Sequence, residues 1–274
     1  MMFTLAMSIS PIKTSFGPRL FSGDMNKGLE TANELGYDAV ELCLSDPGKI
    51  HQEWLLNRLK ELHLNVTAIS TGETYYIDGY SLYEKNKDIR RKAIERIKSH
   101  IDLAVRLNCM VVIGGIRGKI SEAGIEKIRQ DNNGKAAVRE CLEYAEIGKI
   151  VLLLEPINRY ETNLFNNVED GIRIIDEFGS NYFKLLLDTF HMNIEEKSIE
   201  HSIMMAADYL GYIHFADSNR LAPGWGHTDF KNIIISLMQM KYRGAIGIEI
   251  LPKPDDYSAA RQAINYVKTI SGQL

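Results

Sequence analysis

The sequence predicts a (β/α)8 barrel, and three observations predict it. Short β-branched or apolar runs alternate with longer amphipathic segments along the chain, eight times over. Two of the runs, VLLLE and KLLLD, are apolar without interruption, which a strand covered on both faces by crossover helices requires. The length of 274 residues is close to the roughly 250 that such barrels occupy as one unit. A doubly wound open sheet is the rival arrangement, but no GxGxxG or Walker-type loop follows any strand.

The elements follow in order. Residues 3–9 form the first apolar run, and 25–35 carry apolar residues at helical spacing. Residues 39–42 lead to a helix over 53–62, and 66–70 lead through a long polar loop to a helix over 89–107. A strand over 110–114 precedes a helical stretch ending near Gly148. Strands over 150–155, 183–188, 212–215 and 245–249 complete the eight; helices over 168–178, 198–210, 230–240 and 257–270 follow them. Strand then helix throughout is the pattern of a parallel sheet, and eight units close most naturally into a TIM barrel. Residues 1–274 are read as one domain.

Composition agrees and narrows the function. Hydrophobic content of 45% and charged content of 25% are those of an ordinary globular protein. The net charge of −4 offers no electrostatic footprint for a nucleic-acid backbone. Cys43, Cys109 and Cys141 are odd in number and unpaired in spacing, so they read as thiols of a reducing compartment. The N-terminus lacks a basic region ahead of its apolar residues. No apolar run approaches the roughly 20 residues a membrane span needs. The expectation is a cytoplasmic protein with no membrane partner.

Barrel enzymes carry their chemistry at the C-terminal ends of the strands. Four consecutive predicted strands end in a metal-compatible side chain: Glu155, Asp188, His214 and Glu249. A single such carboxylate could equally cap a helix or pair with a lysine; four in register point to one ion at one mouth. Three carboxylates and an imidazole suit Mn2+, Mg2+ or Co2+, and admit Zn2+. Glu155 and Glu249 could in addition face each other across a substrate as a two-base pair, one removing a proton next to a carbonyl and the other returning it. The alternative is that both are ligands only and a water or lysine moves the proton.

The segments LLLEPINRYETN, LLLDTFHMNIEE, YIHFADSNRLAPGWGH and GIEIL resemble the xylose-isomerase-like barrel superfamily. Within it they are most similar to ketose 3-epimerases of the tagatose/psicose type and to 5-keto-L-gluconate epimerases. STGETYYIDGYSL and DIRRKAIERI resemble the latter group, so the likeness spans most of the chain. It implies one divalent ion, commonly Mn2+, on the four residues named, and Glu155 and Glu249 as the acid/base pair. It also implies substrate contacts from Glu161, His191 and Arg220, a keto sugar or sugar acid as partner, and a homodimer or homotetramer.

Each contact has a plainer reading. Glu161 could pair with Arg159, His191 could be a helix-start residue, and Arg220 a solvated loop arginine. The loop FADSNRLAPGWGHTDF, with Asp217, Trp225 and His227, departs from the plain-ketose pattern toward the keto-gluconate group. There His227 either touches substrate or supports a turn whose helix Asp229 caps. Arg117, just past the fourth strand, offers a bidentate fork for a sugar-acid carboxylate. Together these favour a 5-keto-L-gluconate or tagaturonate type of substrate. The alternatives are a neutral ketose, hydroxypyruvate-type isomerisation or inosose-type dehydration, all beginning with proton abstraction next to a carbonyl. An endonuclease-IV-like DNA repair activity on the same barrel is disfavoured, because its multinuclear site needs many histidines and a phosphate-binding surface.

Overall fold

The computed structural model describes residues 3–13 and 17–273. Eight strands pair in parallel, each with the next: β1 (Thr4–Ile9), β2 (Ala39–Cys43), β3 (Asn65–Ser70), β4 (Met110–Ile113), β5 (Leu152–Leu154), β6 (Phe183–Asp188), β7 (Leu210–Phe215) and β8 (Ala245–Ile248). β8 pairs back onto β1, so the sheet closes into a barrel with no edge. The predicted order of elements holds throughout.

Helices α1 (Met25–Leu35), α2 (Gln52–Glu61), α4 (Lys87–Leu107), α5 (Gly124–Gly148), α6 (Val168–Phe178), α8 (Ile199–Ala206), α9 (Phe230–Gln239) and α10 (Asp256–Gly272) make the outer layer. Two short helices were not expected from the sequence, α3 (Gly72–Asp78) and α7 (Thr189–Glu195), and both lie directly after a strand at the barrel mouth. Each is seven residues long, too short for amphipathic periodicity to register. α4 begins earlier than predicted because the Asn86 side chain accepts from the backbone N–H groups of Asp88 and Ile89. No helix among the described residues is long and apolar enough to cross a membrane.

Strand periodicity builds the site. Leu152 and Leu154, Leu185 and Leu187, and Ile213 and Phe215 belong to the large core beneath the helices. Their neighbours Leu153, Leu186 and Tyr212 pack with Ala68, Val112 and Ala245 in a second cluster inside the barrel. Because side chains two apart share a face, Leu153, Leu186 and Tyr212 are each followed on the inner face by Glu155, Asp188 and His214. The apolar plug therefore carries a polar layer on its C-terminal side.

Candidate active site

Glu155, Asp188, His214 and Glu249 meet in that layer, each offering a ligand atom within 4.8 Å of the others. His214 Nδ1 lies 3.9 Å from Glu155 Oε1, 3.9 Å from Asp188 Oδ2 and 4.0 Å from Glu249 Oε2. All four residues are buried. β6 and β7 reach the layer within the strand, with Asp188 paired in register to His214. Glu155 and Glu249 are each the first residue beyond β5 and β8, where the chain is free to turn the carboxylate toward the mouth.

The donor atoms fit a divalent cation. His214 Nδ1 and Asp188 Oδ2 are buried and have no hydrogen-bond partner among the described residues, an arrangement that costs free energy unless something positive lies between them. The imidazole is already oriented: its Nε2 hydrogen-bonds Glu41 Oε2 on β2 at 2.6 Å, which directs the Nδ1 lone pair at the carboxylates. A carboxylate behind a ligating histidine is the usual second layer of a metal site. Two glycines make room. A Cβ at Gly114 would lie 2.5 Å from Glu155 Oε2, and one at Gly247 would lie 2.7 Å from His214 Cδ2.

The electrostatics reflect crowding of like charges. Burial, with Glu249 and Asp188 nearby, pushes the Glu155 carboxyl up to about 8 against the opposing pull of His214 and Arg117. Burial and Glu249 likewise raise Asp188. Glu249 is held low: burial opposes its charge, but His214, Arg220 and Arg19 together outweigh it. For His214 burial is again the largest single influence and disfavours the cation, yet Glu41, Glu249 and Glu155 raise it to about 10. Both raised values favour protons on Glu155 and His214, which offset the crowding of the carboxylates.

A cavity of about 460 Å³ opens above this layer. Glu155, Glu249, Glu161, His191 and Arg220, five of the residues singled out from the sequence, all line it. Arg220 reaches Glu161 Oε1 at 3.3 Å and Glu249 Oε2 at 3.2 Å, and its guanidinium stacks over the Phe190 ring at 4.7 Å. Glu161 does not pair with Arg159, which is engaged by Glu195. Asn158 Nδ2 donates to His191 Nδ1 at 2.7 Å. Burial and the cations Arg220 and Arg117 lower the His191 pKa well below its ordinary value, so the ring is neutral and presents Nε2–H as a donor.

Two of the expected contacts lie outside this cavity. Arg117 does not line this cavity. It is fully enclosed, its Nη1 donates to the backbone carbonyl of Glu155, and it lines a small pocket that shares Tyr76, Ile157 and Glu161 with the cavity. It holds the Glu155 backbone through Nη1, while its Nε and Nη2 are buried without a hydrogen-bond partner among the described residues. His227 is exposed and also outside the cavity. Its backbone N–H donates to Ser218 Oγ at 2.9 Å, while Asp229 caps α9. The loop is organised by Asp217, which accepts from the N–H groups of Ser218, Gly224 and Thr228.

Sequence reasoning missed Glu41, Asn158, Arg19 and Glu73. Glu41 carried a signal: a carboxylate inside the apolar run AVELCL on a strand. Arg19 and Glu73 come from segments after β1 and β3 whose path over the mouth no periodicity marks.

Residues 29–270 match the Xylose isomerase-like TIM barrel family, and the chain belongs to that family. It is 33% identical over 236 residues to an L-ribulose 3-epimerase of Methylomonas sp. (strain DH-1), spanning 84% of this chain and 81% of the relative. It is 32% identical over 255 residues to the 3-dehydro-D-guloside 4-epimerase of Escherichia coli (strain K12), spanning 86% and 91%. The crystal structure of D-allulose 3-epimerase from Methylomonas sp. in complex with D-allulose superposes with a TM-score of 0.80 at 26% identity, covering 97% of each chain. The protein is an enzyme of the isomerase class, a sugar epimerase by family, with a candidate metal site at the barrel mouth.

Proposed function

We propose that the protein epimerises a keto sugar at a carbon next to its carbonyl, by proton transfer between Glu155 and Glu249. The observation that carries this reading is the pair itself. Both carboxylates line one cavity, both lie about 4 Å from the same imidazole nitrogen, and they arrive from different strands. One takes the proton and the other returns it from the opposite side, inverting the carbon. A divalent ion on Glu155, Asp188, His214 and Glu249, for which we propose Mn2+, supplies Lewis-acid stabilisation of developing oxyanion charge. Neutral His191 donates from Nε2 and Arg220 donates from its guanidinium to substrate oxygens, and Glu161 holds Arg220 in place and accepts from a hydroxyl.

The substrate class we favour is a keto sugar acid of the 5-keto-L-gluconate or tagaturonate type, on the resemblance of the Asp217 loop. A neutral ketose is the second reading, supported by the relatives that carry ribulose and allulose in their names. The test is turnover in D2O with added Mn2+, followed by NMR, across both substrate classes. Deuterium should enter next to the carbonyl and a single epimer should form. Glu155→Gln and Glu249→Gln should each lower turnover by about 10²–10⁴-fold, the scale of acid/base catalysis. No exchange with any keto sugar would sink the reading, and a dehydrated or aldose product would redirect it.

A further inference from the structure

The cavity has a second polar wall that the proton-transfer chemistry does not use. Arg19, Ser70 and Glu73 line it on the β1 and β3 side of the mouth. Arg19 Nε lies 3.5 Å from Glu73 Oε1, yet Arg19 Nε and Glu73 Oε2 are both buried without a hydrogen-bond partner among the described residues. Glu73 is anchored from behind, accepting from Ser10 Oγ at 2.7 Å. The segment bearing Arg19 is equally fixed. Leu20 N–H donates to Ser8 O at 3.1 Å, and Phe21 N–H donates to Asp256 Oδ1 at 2.6 Å.

Among the described residues, the cavity offers two arginines. Arg220 is held between Glu161 and Glu249 and serves the reacting end of the substrate in the reading above. Arg19 has one carboxylate neighbour at the long end of ion-pair distance, and burial raises the pKa of that carboxyl despite Arg19 beside it. Burial works against the Arg19 charge too, but the carboxylates of Glu73 and Glu249 favour it. A buried, positioned and under-used guanidinium is a ready fork for an anion.

We propose that Arg19, braced by Glu73, is the specificity residue that receives a carboxylate at the end of the substrate remote from the reacting carbon. This rests on the keto-sugar reading above and assigns to Arg19 the role for which the sequence had suggested Arg117.

The test uses ligands that cannot epimerise, so it reports whether or not turnover is found. D-gluconate and D-glucitol differ in one terminal carboxylate against a hydroxymethyl group, and their affinities are compared by calorimetry on the full-length protein. A charge-assisted fork predicts that the wild type prefers gluconate by about ten- to hundred-fold. Arg19→Met should erase that preference, and Arg19→Lys, with a point charge in place of the fork, should keep only part of it. Circular dichroism establishes that each variant is folded. Equal affinities in the wild type, a preference that survives Arg19→Met, or a preference undiminished in Arg19→Lys would overturn the proposal. Failure of the epimerase reading shows separately, as absent deuterium exchange.

Discussion

Glu41 touches neither the cavity nor the ligand carboxylates, yet its removal should be felt as lost metal affinity. The perturbation is Glu41→Gln. In the wild type a 2.6 Å hydrogen bond joins two enclosed groups, Glu41 Oε2 and His214 Nε2. A hydrogen bond to a charged partner contributes about 1.5–3 kcal/mol, and at about 1.4 kcal/mol per decade this is roughly 10–100-fold in affinity. The same range is typical of outer-layer partners of metal-bound histidines. The glutamine amide can also donate to Nε2, which would move the ring proton to Nδ1 and block the ligand atom. Mn2+ titration of metal-free protein against a chelator measures the change. A second readout is independent: without Glu41, burial lowers the His214 pKa, so fewer protons should leave when the ion binds. Affinity within twofold of wild type, with unchanged proton release, would refute the assignment of Glu41 as the group that aims His214.

Four further outcomes are expected. At pH 7 the metal-free protein carries protons on Glu155, raised to about 8, and on His214, raised to about 10; ion uptake should therefore release roughly one to two protons, seen as a buffer-dependent calorimetric enthalpy. The sign for stability follows. Glu155 is raised above its unfolded value, so the metal-free fold loses stability as pH climbs toward about 8, and the Tm gain from metal should grow over that interval. Gly114→Ala would place a methyl 2.5 Å from Glu155 Oε2, and should weaken metal binding and turnover together while leaving the secondary-structure spectrum intact. Arg117→Met removes the donor to the Glu155 carbonyl, at a cost of about 1–3 kcal/mol for a buried unpaired group, read as a lower Tm. It should leave any gluconate-over-glucitol preference unchanged.

What the sequence disclosed follows from periodicity, and what it hid follows from chain path. VLLLE and KLLLD announce buried strands because both faces are apolar, and the polar residue that ends each must then sit at the rim. The rule that inner positions recur every second residue places Asp188 and His214 in the candidate metal cluster with no knowledge of the loops. Arg117 and Glu73 both lie within four residues of a strand end, yet Glu73 lines the cavity and Arg117 lines the small pocket beside it. That choice is made by a three-residue turn after β4 and a seven-residue helix after β3, too short to leave a pattern. Glu41 was readable in principle, since a lone carboxylate on a strand enclosed on both faces must find a partner, but its partner lies 173 residues away.

The division of labour around the mouth explains why one half of the site was easier to find. β5 to β8 supply the candidate ligands: Asp188 and His214 are fixed by strand register, and Glu155 and Glu249 stand one residue beyond their strands. The same layer needs emptiness beside each ligand, so Gly247 faces the His214 ring and Gly114 faces the Glu155 carboxylate. Chemistry thus depends on backbone geometry that a barrel holds rigidly. Recognition, on the proposal above, depends on Glu73, which accepts from Ser10 Oγ, and on Arg19, whose neighbours Leu20 and Phe21 donate to Ser8 O and Asp256 Oδ1. Substrate choice can then change by substitution on the β1 and β3 wall without disturbing an ion held from β5 to β8. On that logic Arg19→Met should alter which sugar is bound far more than it alters Mn2+ affinity.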